Sequence, residues 1–172
     1  MIQRYREHTP RVDPTAYVHP AAVLMGDVEL GPRVSVWPGV ILRGDQGAIR
    51  VGAETNLQDG TIAHATGGRS VTEVGPRVTV GHRVILHGCR IEGDALIGMG
   101  AILLDDCVIE PWSIVGAGAL VPYGRRVPSG VLFLGVPGRV VRELTEADRE
   151  SIRRGHLEYL RLAAEYAGEA AR

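Results

Sequence analysis

The chain has 172 residues with 19 basic and 20 acidic side chains, a net charge of −1, and every basic residue is Arg. That balance points away from nucleic acid and from acidic membrane surfaces as partners, and a chain without Lys has neither a Schiff-base lysine nor a P-loop lysine. The opening Met1-Ile2-Gln3-Arg4-Tyr5-Arg6-Glu7-His8 has no apolar core of a secretory leader, and no stretch approaches the ~18 apolar residues of a membrane helix, so a cytoplasmic protein is expected.

Residues 1–15 read as a lead-in in which Pro10 and Pro14 prevent a helix. From residue 16 to about 122 a six-residue period takes over. Apolar residues fall at Val18, Leu24, Leu30, Val36 and Leu42, then at Val51, Leu57 and Ala63, then at Val74, Val80 and Leu86. The period resumes at Ile91, Ile97, Leu103, Ile109, Val115 and Val121. Four positions after most of these stands a small or β-branched residue, such as Ala22, Val34, Thr61, Val84, Ala101 or Cys107. Such a unit cannot bury its apolar side alone, so units must stack into a solenoid. Gly and Pro at steady intervals, as in Gly31-Pro32 and Gly75-Pro76, fit short strands joined by tight turns. Three units per coil give a triangular section, with coils about 4.8 Å apart. The scarcity of aromatic residues, 5%, suits a narrow interior of Val, Ile, Leu and Ala. Spacing alone does not give the hand of the coil.

Two interruptions break the rhythm, Gln46-Gly47-Ala48 and the loop 65–73 with Gly67-Gly68. Residues 123–143 are rich in Gly and Pro and read as an exit from the solenoid. From Thr145 the period becomes helical. Thr145 and Asp148 form a capping signature, and Ile152, His156, Tyr159, Leu160 and Ala163 share one helical face. The expected division is therefore 1–143 for the solenoid with its lead-in and exit, and 144–172 for a helix that folds back along it or along a neighbour.

Three histidines stand inside the repeat. His64 follows the anchor Ala63 and His87 follows the anchor Leu86, so they occupy equivalent positions on stacked coils about 4.8 Å apart. Both can reach one ion through bonds of about 2.0–2.1 Å. His82 lies two positions after Val80, one face earlier, and points away from the other two. The simplest arrangement uniting all three places His82 of one chain against His64 and His87 of the next, in a closed ring of three. Three neutral imidazoles leave a fourth position for water, whose pKa an ion lowers to around 7. That makes a nucleophile suited to a small electrophile such as carbon dioxide. His8, His19 and His156 read as ordinary surface or core residues, Met25 and Met99 as gap-fillers, and Trp37 and Trp112 as face-packing residues.

Arg43-Gly44-Asp45, Asn56-Leu57-Gln58-Asp59-Gly60, His64, Gly81-His82 and His87-Gly88-Cys89 occur in order and at the spacing of the γ-class carbonic anhydrases. The chain resembles that family, including its ferripyochelin-binding-like and transferase-like hexapeptide relatives, across nearly the whole repeat and into the C-terminal helix. The resemblance implies an all-β solenoid, a left-handed parallel β-helix of hexapeptide repeats with a C-terminal α-helix. It implies that His64, His82 and His87 hold Zn2+, Fe2+ or Co2+ between the subunits of a homotrimer that interconverts CO2 and bicarbonate. It further implies that Gln58 orients the metal-bound hydroxide and that Arg43 and Asp45 form an interface ion pair. Asp59 would pair with Arg43 of the facing chain, and Tyr159 would stand near the open side of the site.

The chain departs from the prototype where that protein carries acidic proton-shuttle residues. Here Gln46 follows Asp45, the loop after His64 reads Ala65-Thr66-Gly67-Gly68-Arg69 with no carboxylate before Glu73, and Arg161 replaces the family's asparagine. A proton would have to leave by His, water or buffer. Two other functions fit the same frame: acyl transfer or hydrolysis of a coenzyme A thioester, and a non-catalytic trimer stapled by metal. Cys89 and Cys107 fall at equivalent places on adjacent coils, within disulfide reach by stacking, yet a small side chain is what that position wants. Free thiols are expected.

Overall fold

The six-residue spacing is realised as a parallel β-solenoid in a computed structural model that describes residues 1–170. It winds left-handed through about seven turns and carries one C-terminal helix, Glu146–Ala170. The last two residues of the 144–172 segment lie outside the described residues.

Three faces alternate around the coil. The first stacks the start of Val23–Leu30, the start of Ile41–Val51, Ile62–His64, Ile85–His87, Ile102–Leu103 and Leu120–Val121. The second stacks Arg11–Val12, the ends of Val23–Leu30 and Ile41–Val51, Thr72–Val74, Arg90–Ile91, Val108–Ile109 and Arg126–Val127. The third stacks Tyr17–Val18, Ser35–Val36, Asn56–Leu57, Thr79–Val80, Leu96–Ile97, Ile114–Val115 and Val131–Gly135. Within these three stacks all pairings are parallel, coil on coil.

Every anchor of the six-residue period from Leu24 to Val121 is buried, and so are the small residues four positions on. The interior narrows at each corner, which leaves room only for the smaller side chains. Where one of these carries a hydroxyl it needs a partner. Thr55 Oγ1 donates to the Gly75 carbonyl at 2.7 Å and Thr61 Oγ1 to the Gly81 carbonyl at 3.1 Å. The corner that joins the third face to the first demands a left-handed backbone, met by Gly39, Gly60, Gly100 and Gly118. Arg83, next to His82, takes the same conformation with φ +56°.

The period runs further than the composition of 123–143 suggests. Val127 and Phe133 keep the six-residue step and are buried, and the strands Arg126–Val127 and Val131–Gly135 extend the stack. Only then does the chain turn back, as the antiparallel strand Gly138–Glu143. The lead-in also joins the stack, with Ile2 beside Leu24 and Arg11 beside Glu29.

The outer sides of the three faces differ in chemistry. On the second, Arg11, Glu29, Arg50, Glu73 and Arg90 stand in register with alternating sign. The third is covered by the helix. Thr145 and Asp148 cap its start reciprocally, Thr145 N–H to Asp148 Oδ2 at 2.7 Å and Asp148 N–H to Thr145 Oγ1 at 3.2 Å. Its Ile152 is buried beside Ile114 and Leu144, and further along Tyr159 and Tyr166 meet Trp37 with ring centroids 5.4 and 5.3 Å apart. A 25-residue helix spans about 37 Å. That is enough to run the length of seven coils, about 34 Å. The first face carries an outward column of Val23, Ile41, Ile62, Ile85, Ile102 and Leu120 in register. Ile41, Ile62 and Ile85 are 38, 41 and 37% exposed.

Candidate metal centre

His64 and His87 are register partners on adjacent coils of the first face. Ala63 and Leu86 turn inward as anchors, so strand alternation sends the next residue outward. The rings face each other, with His64 Nδ1 3.2 Å from His87 Nε2. Two nitrogens bound to one tetrahedral ion at about 2.0–2.1 Å stand about 3.3 Å apart, so the pair is spaced to share a cation.

Each ring has its other nitrogen held by a carboxylate. His64 Nε2 meets Asp45 Oδ1 at 3.1 Å and His87 Nδ1 meets Asp105 Oδ2 at 2.9 Å. That pattern fixes tautomer and ring orientation in metal–histidine–carboxylate sites. Burial, joined by the nearby Arg43 guanidinium, pushes the His64 imidazole below its usual value, towards the neutral form that ligates metals. Burial acts to raise the Asp105 carboxyl, but hydrogen bonds from Ser70, His87 and Thr66 outweigh it and hold it at about 2. Asp45 is likewise lowered against the push of burial, by hydrogen bonds from Arg43 and His64. Arg43 reaches both Asp45 oxygens, at 2.9 and 2.7 Å.

Asp105 is the residue that sequence reasoning missed. It lies one coil beyond Gly88 on the same corner, in Leu104-Asp105-Asp106. A carboxylate one coil on from a candidate ligand is the signal that would have found it.

His82 sits at the opposite corner of the first face. Its Nδ1 is 3.0 Å from Asp59 Oδ2, which leaves Nε2 for a ligand. Asp59 therefore bonds a histidine of its own chain; the pairing with a facing chain's Arg43 that the resemblance implied requires a second chain. Among the described residues no three His, Cys, Asp or Glu side chains gather as a ligand set within one chain. A three-histidine site needs another copy.

Gln58 is buried on the third face, under the helix, beside the His82 corner. Its Nε2 donates to Asn56 Oδ1 at 3.2 Å, and Asn56 Nδ2 donates to Thr79 Oγ1 at 3.1 Å. This chain of donors leaves Gln58 Oε1 free to accept. The Tyr159 ring packs edge-on against Trp37. Burial, with a contribution from Asp59, raises its phenol above the usual value.

The two interruptions meet beside the histidine pair. A Cβ on Gly67 would fall 2.5 Å from Gln46 Oε1, and one on Gly47 would fall 2.4 Å from the Ser70 carbonyl oxygen. Met99 does not fill a gap: it is 58% exposed, on the coil next to His82. His19 accepts from the Ala21 N–H at 3.1 Å, whereas His156 is buried with Nδ1 unpartnered. Cys89 and Cys107 are free, buried and adjacent; a hydrogen bond from Cys107, then burial, pushes the Cys89 thiol well up.

Residues 88–122 match the family model described as bacterial transferase hexapeptide (six repeats). The chain is 41% identical over 168 residues to the mitochondrial Gamma carbonic anhydrase 2 of Arabidopsis thaliana, covering 95% of this chain and 60% of that protein. It is 38% identical over 173 residues to Protein YrdA of Escherichia coli, covering 96% and 94%. The chain belongs to the γ-class carbonic anhydrase-like family of hexapeptide-repeat proteins. It spans about 60% of the length of the two Arabidopsis relatives it matches. A solved structure described as a putative acetyltransferase from Bacillus cereus superposes with a TM-score of 0.93 at 37% identity, covering 96% of this chain and 95% of that one. Proteins similar to this chain thus carry names from two reaction classes on one frame, and function has to be argued from the site.

Proposed function

We propose that this protein is a metal-dependent γ-type carbonic anhydrase whose sites form between the subunits of a homotrimer. The observation that carries the reading is the imidazole pair, His64 Nδ1 and His87 Nε2 at 3.2 Å, each ring backed by its own aspartate. His64 and His87 of one subunit and His82 of the next would hold Zn2+, with Fe2+ or Co2+ as alternatives. A divalent ion held there would supply Lewis-acid activation of water at neutral pH.

The chain's own groups do the rest. Asp45 and Asp105 hold the two rings in place. Gln58, its amide nitrogen already committed to Asn56, offers Oε1 as an acceptor that orients the reacting water. The Arg43 guanidinium, tied to Asp45, provides positive charge where bicarbonate forms. Tyr159 borders the site from the helix, and Asp59 holds His82. With Gln46 at the shuttle position and no carboxylate in residues 65–72, protons leave through water or buffer.

The homotrimer reading is supported by elimination of faces. The helix covers the third and an alternating charge ladder solvates the second, whereas the first presents an apolar column between His82 and the histidine pair. Among the described residues no helix is long and apolar enough to cross a membrane, and a cytoplasmic location is proposed with the rest.

Anaerobic purification, metal analysis and stopped-flow hydration of CO2 on one sample test the proposal. Hydration is expected with about one ion per chain, rising with buffer concentration. In Gln58→Ala the rate is expected to fall by about 10–100-fold with metal and trimer retained. A second reading, acyl transfer from a coenzyme A thioester, is favoured by the name of the Bacillus cereus relative. It replaces the first if zinc-, iron- and cobalt-loaded protein hydrate no CO2 while a thioester is consumed.

A further inference from the structure

Nine positions separate His64 from Glu73, whereas three separate their register partners His87 and Arg90. The coil therefore carries an insertion directly after the first candidate ligand, the loop 65–71, which leads into the strand Thr72–Val74. Two hydroxyls fasten it. Thr72 Oγ1 donates to the His64 carbonyl at 2.6 Å and accepts from the Gly88 N–H at 2.9 Å, so it ties together the backbones that carry both histidines. Ser70 Oγ accepts from the Thr66 N–H at 3.0 Å and donates to Asp105 Oδ1 at 2.5 Å. The other oxygen, Asp105 Oδ2, holds His87 Nδ1 at 2.9 Å.

The bond from Ser70 to Asp105 passes over Gly88, where a Cβ would lie 2.3 Å from Ser70 Oγ and 2.2 Å from Asp105 Oδ1. Beyond it, the Arg69 guanidinium rests over the Tyr123 ring at 4.7 Å and 3.8 Å from Asp106 Oδ2. The loop is thus folded down across two further coils, and one carboxylate joins its hinge to an imidazole.

We infer that Asp105 is a positioning residue that couples closure of the loop 65–71 to the orientation of His87, one oxygen serving each. This rests on the metal reading proposed above. With the Ser70 hydroxyl in place the carboxylate is held from both sides and the His87 ring has one setting. Without it the carboxylate can rotate, the loop lifts and the ring is freed. Conversely, a cation shared by His64 and His87 fixes the ring, the carboxylate and the loop together.

The absence of Lys gives the test a clean reporter, because trypsin then cleaves only after Arg, and Arg69 is the one Arg in the loop. Wild type, Asp105→Ala, Ser70→Ala and Ser70→Thr are compared as intact protein. Two quantities are read: the rate of cleavage after Arg69, with and without Zn2+, and the Zn2+ affinity in competition with a chromophoric chelator. Circular dichroism serves as a check on folding. Asp105→Ala and Ser70→Ala are expected to be cut faster than wild type. Zn2+ should slow cleavage in wild type but not in these two variants. Asp105→Ala should bind Zn2+ about 10–100-fold more weakly, Ser70→Ala should also be weakened, and Ser70→Thr should recover both properties. Wild-type cleavage in Asp105→Ala overturns the inference. So does faster cleavage at unchanged Zn2+ affinity, which would leave Asp105 as a staple of the loop alone. If wild type binds no Zn2+, the metal reading and the coupling fall together, and equal cleavage rates of all four metal-free proteins would remove the latch as well. A folded Ser70→Ala keeps the test decisive should Asp105→Ala not fold.

Discussion

Gly88 bears two constraints that can be separated by experiment. Its φ of +61° is costly for any other residue, and the space over its Cα is filled by Asp105 Oδ1 and Ser70 Oγ. Gly88→Ala is therefore expected to lose about 2–3 kcal/mol, the sum of left-handed strain and a displaced hydrogen bond. Gly100→Ala shares the positive φ but has nothing within 4 Å, so it should lose only about 1–2 kcal/mol. Denaturant unfolding of both variants checks the difference, and equal losses would count against crowding at Gly88. The histidine pair was legible because the repeat gives register, and register gives proximity. Asp105 was legible only in part: register places it one coil beyond Gly88, near His87, but its second bond comes from Ser70, on a loop outside the period.

At the scale of elements, the helix start is the part most exposed to pH. The Asp148 carboxyl is held far below the usual carboxylate range, first by Arg142 and then by Thr145. A folded-state value below the unfolded one means the stabilisation is present above about pH 4 and drains away as pH falls below that. Asp148→Asn should be less stable than wild type at pH 7, and the gap should close as the solution is acidified towards pH 2. Thermal unfolding followed at 222 nm across that range checks it; a gap independent of pH would remove the charge from the explanation. The cap itself could be read from Thr145 and Asp148, because capping is local chemistry. The last coil was harder to read. Val127 and Phe133 keep the six-residue step, but the turn-rich composition around them resembles a linker, and turns are also what a solenoid corner is made of.

For the whole molecule, the outward residues of the three faces divide the labour. The charge ladder of the second face favours water and the helix seals the third, which leaves the exposed column of Ile41, Ile62 and Ile85 as the surface the proposed trimer would use. Ile85→Glu places a carboxylate in that column without touching the core or any histidine. It is expected to give a folded monomer with normal circular dichroism, seen by sedimentation, and to lose bound metal if, as proposed, His82 of the next chain completes the site. Retention of metal by such a monomer would place all ligands within one chain. The column stands in the sequence as the residue before the anchors of one face alone, but which of three outward sides stays bare depends on where the helix lies.

A stacked coil also sets rules for how this architecture can lengthen. Evolution can duplicate or delete one whole turn and leave the remaining turns matched, since each contacts only its neighbours. His64 and His87 occupy successive turns, so one extra turn between them would double their separation to roughly 9–10 Å and no cation could bridge it. A turn added beyond Leu120–Val121 leaves that pair untouched. Growth is thus free at one end, and a cation shared by the pair would forbid it across a single step, which makes the step between those two turns the fixed address in an otherwise extensible rod.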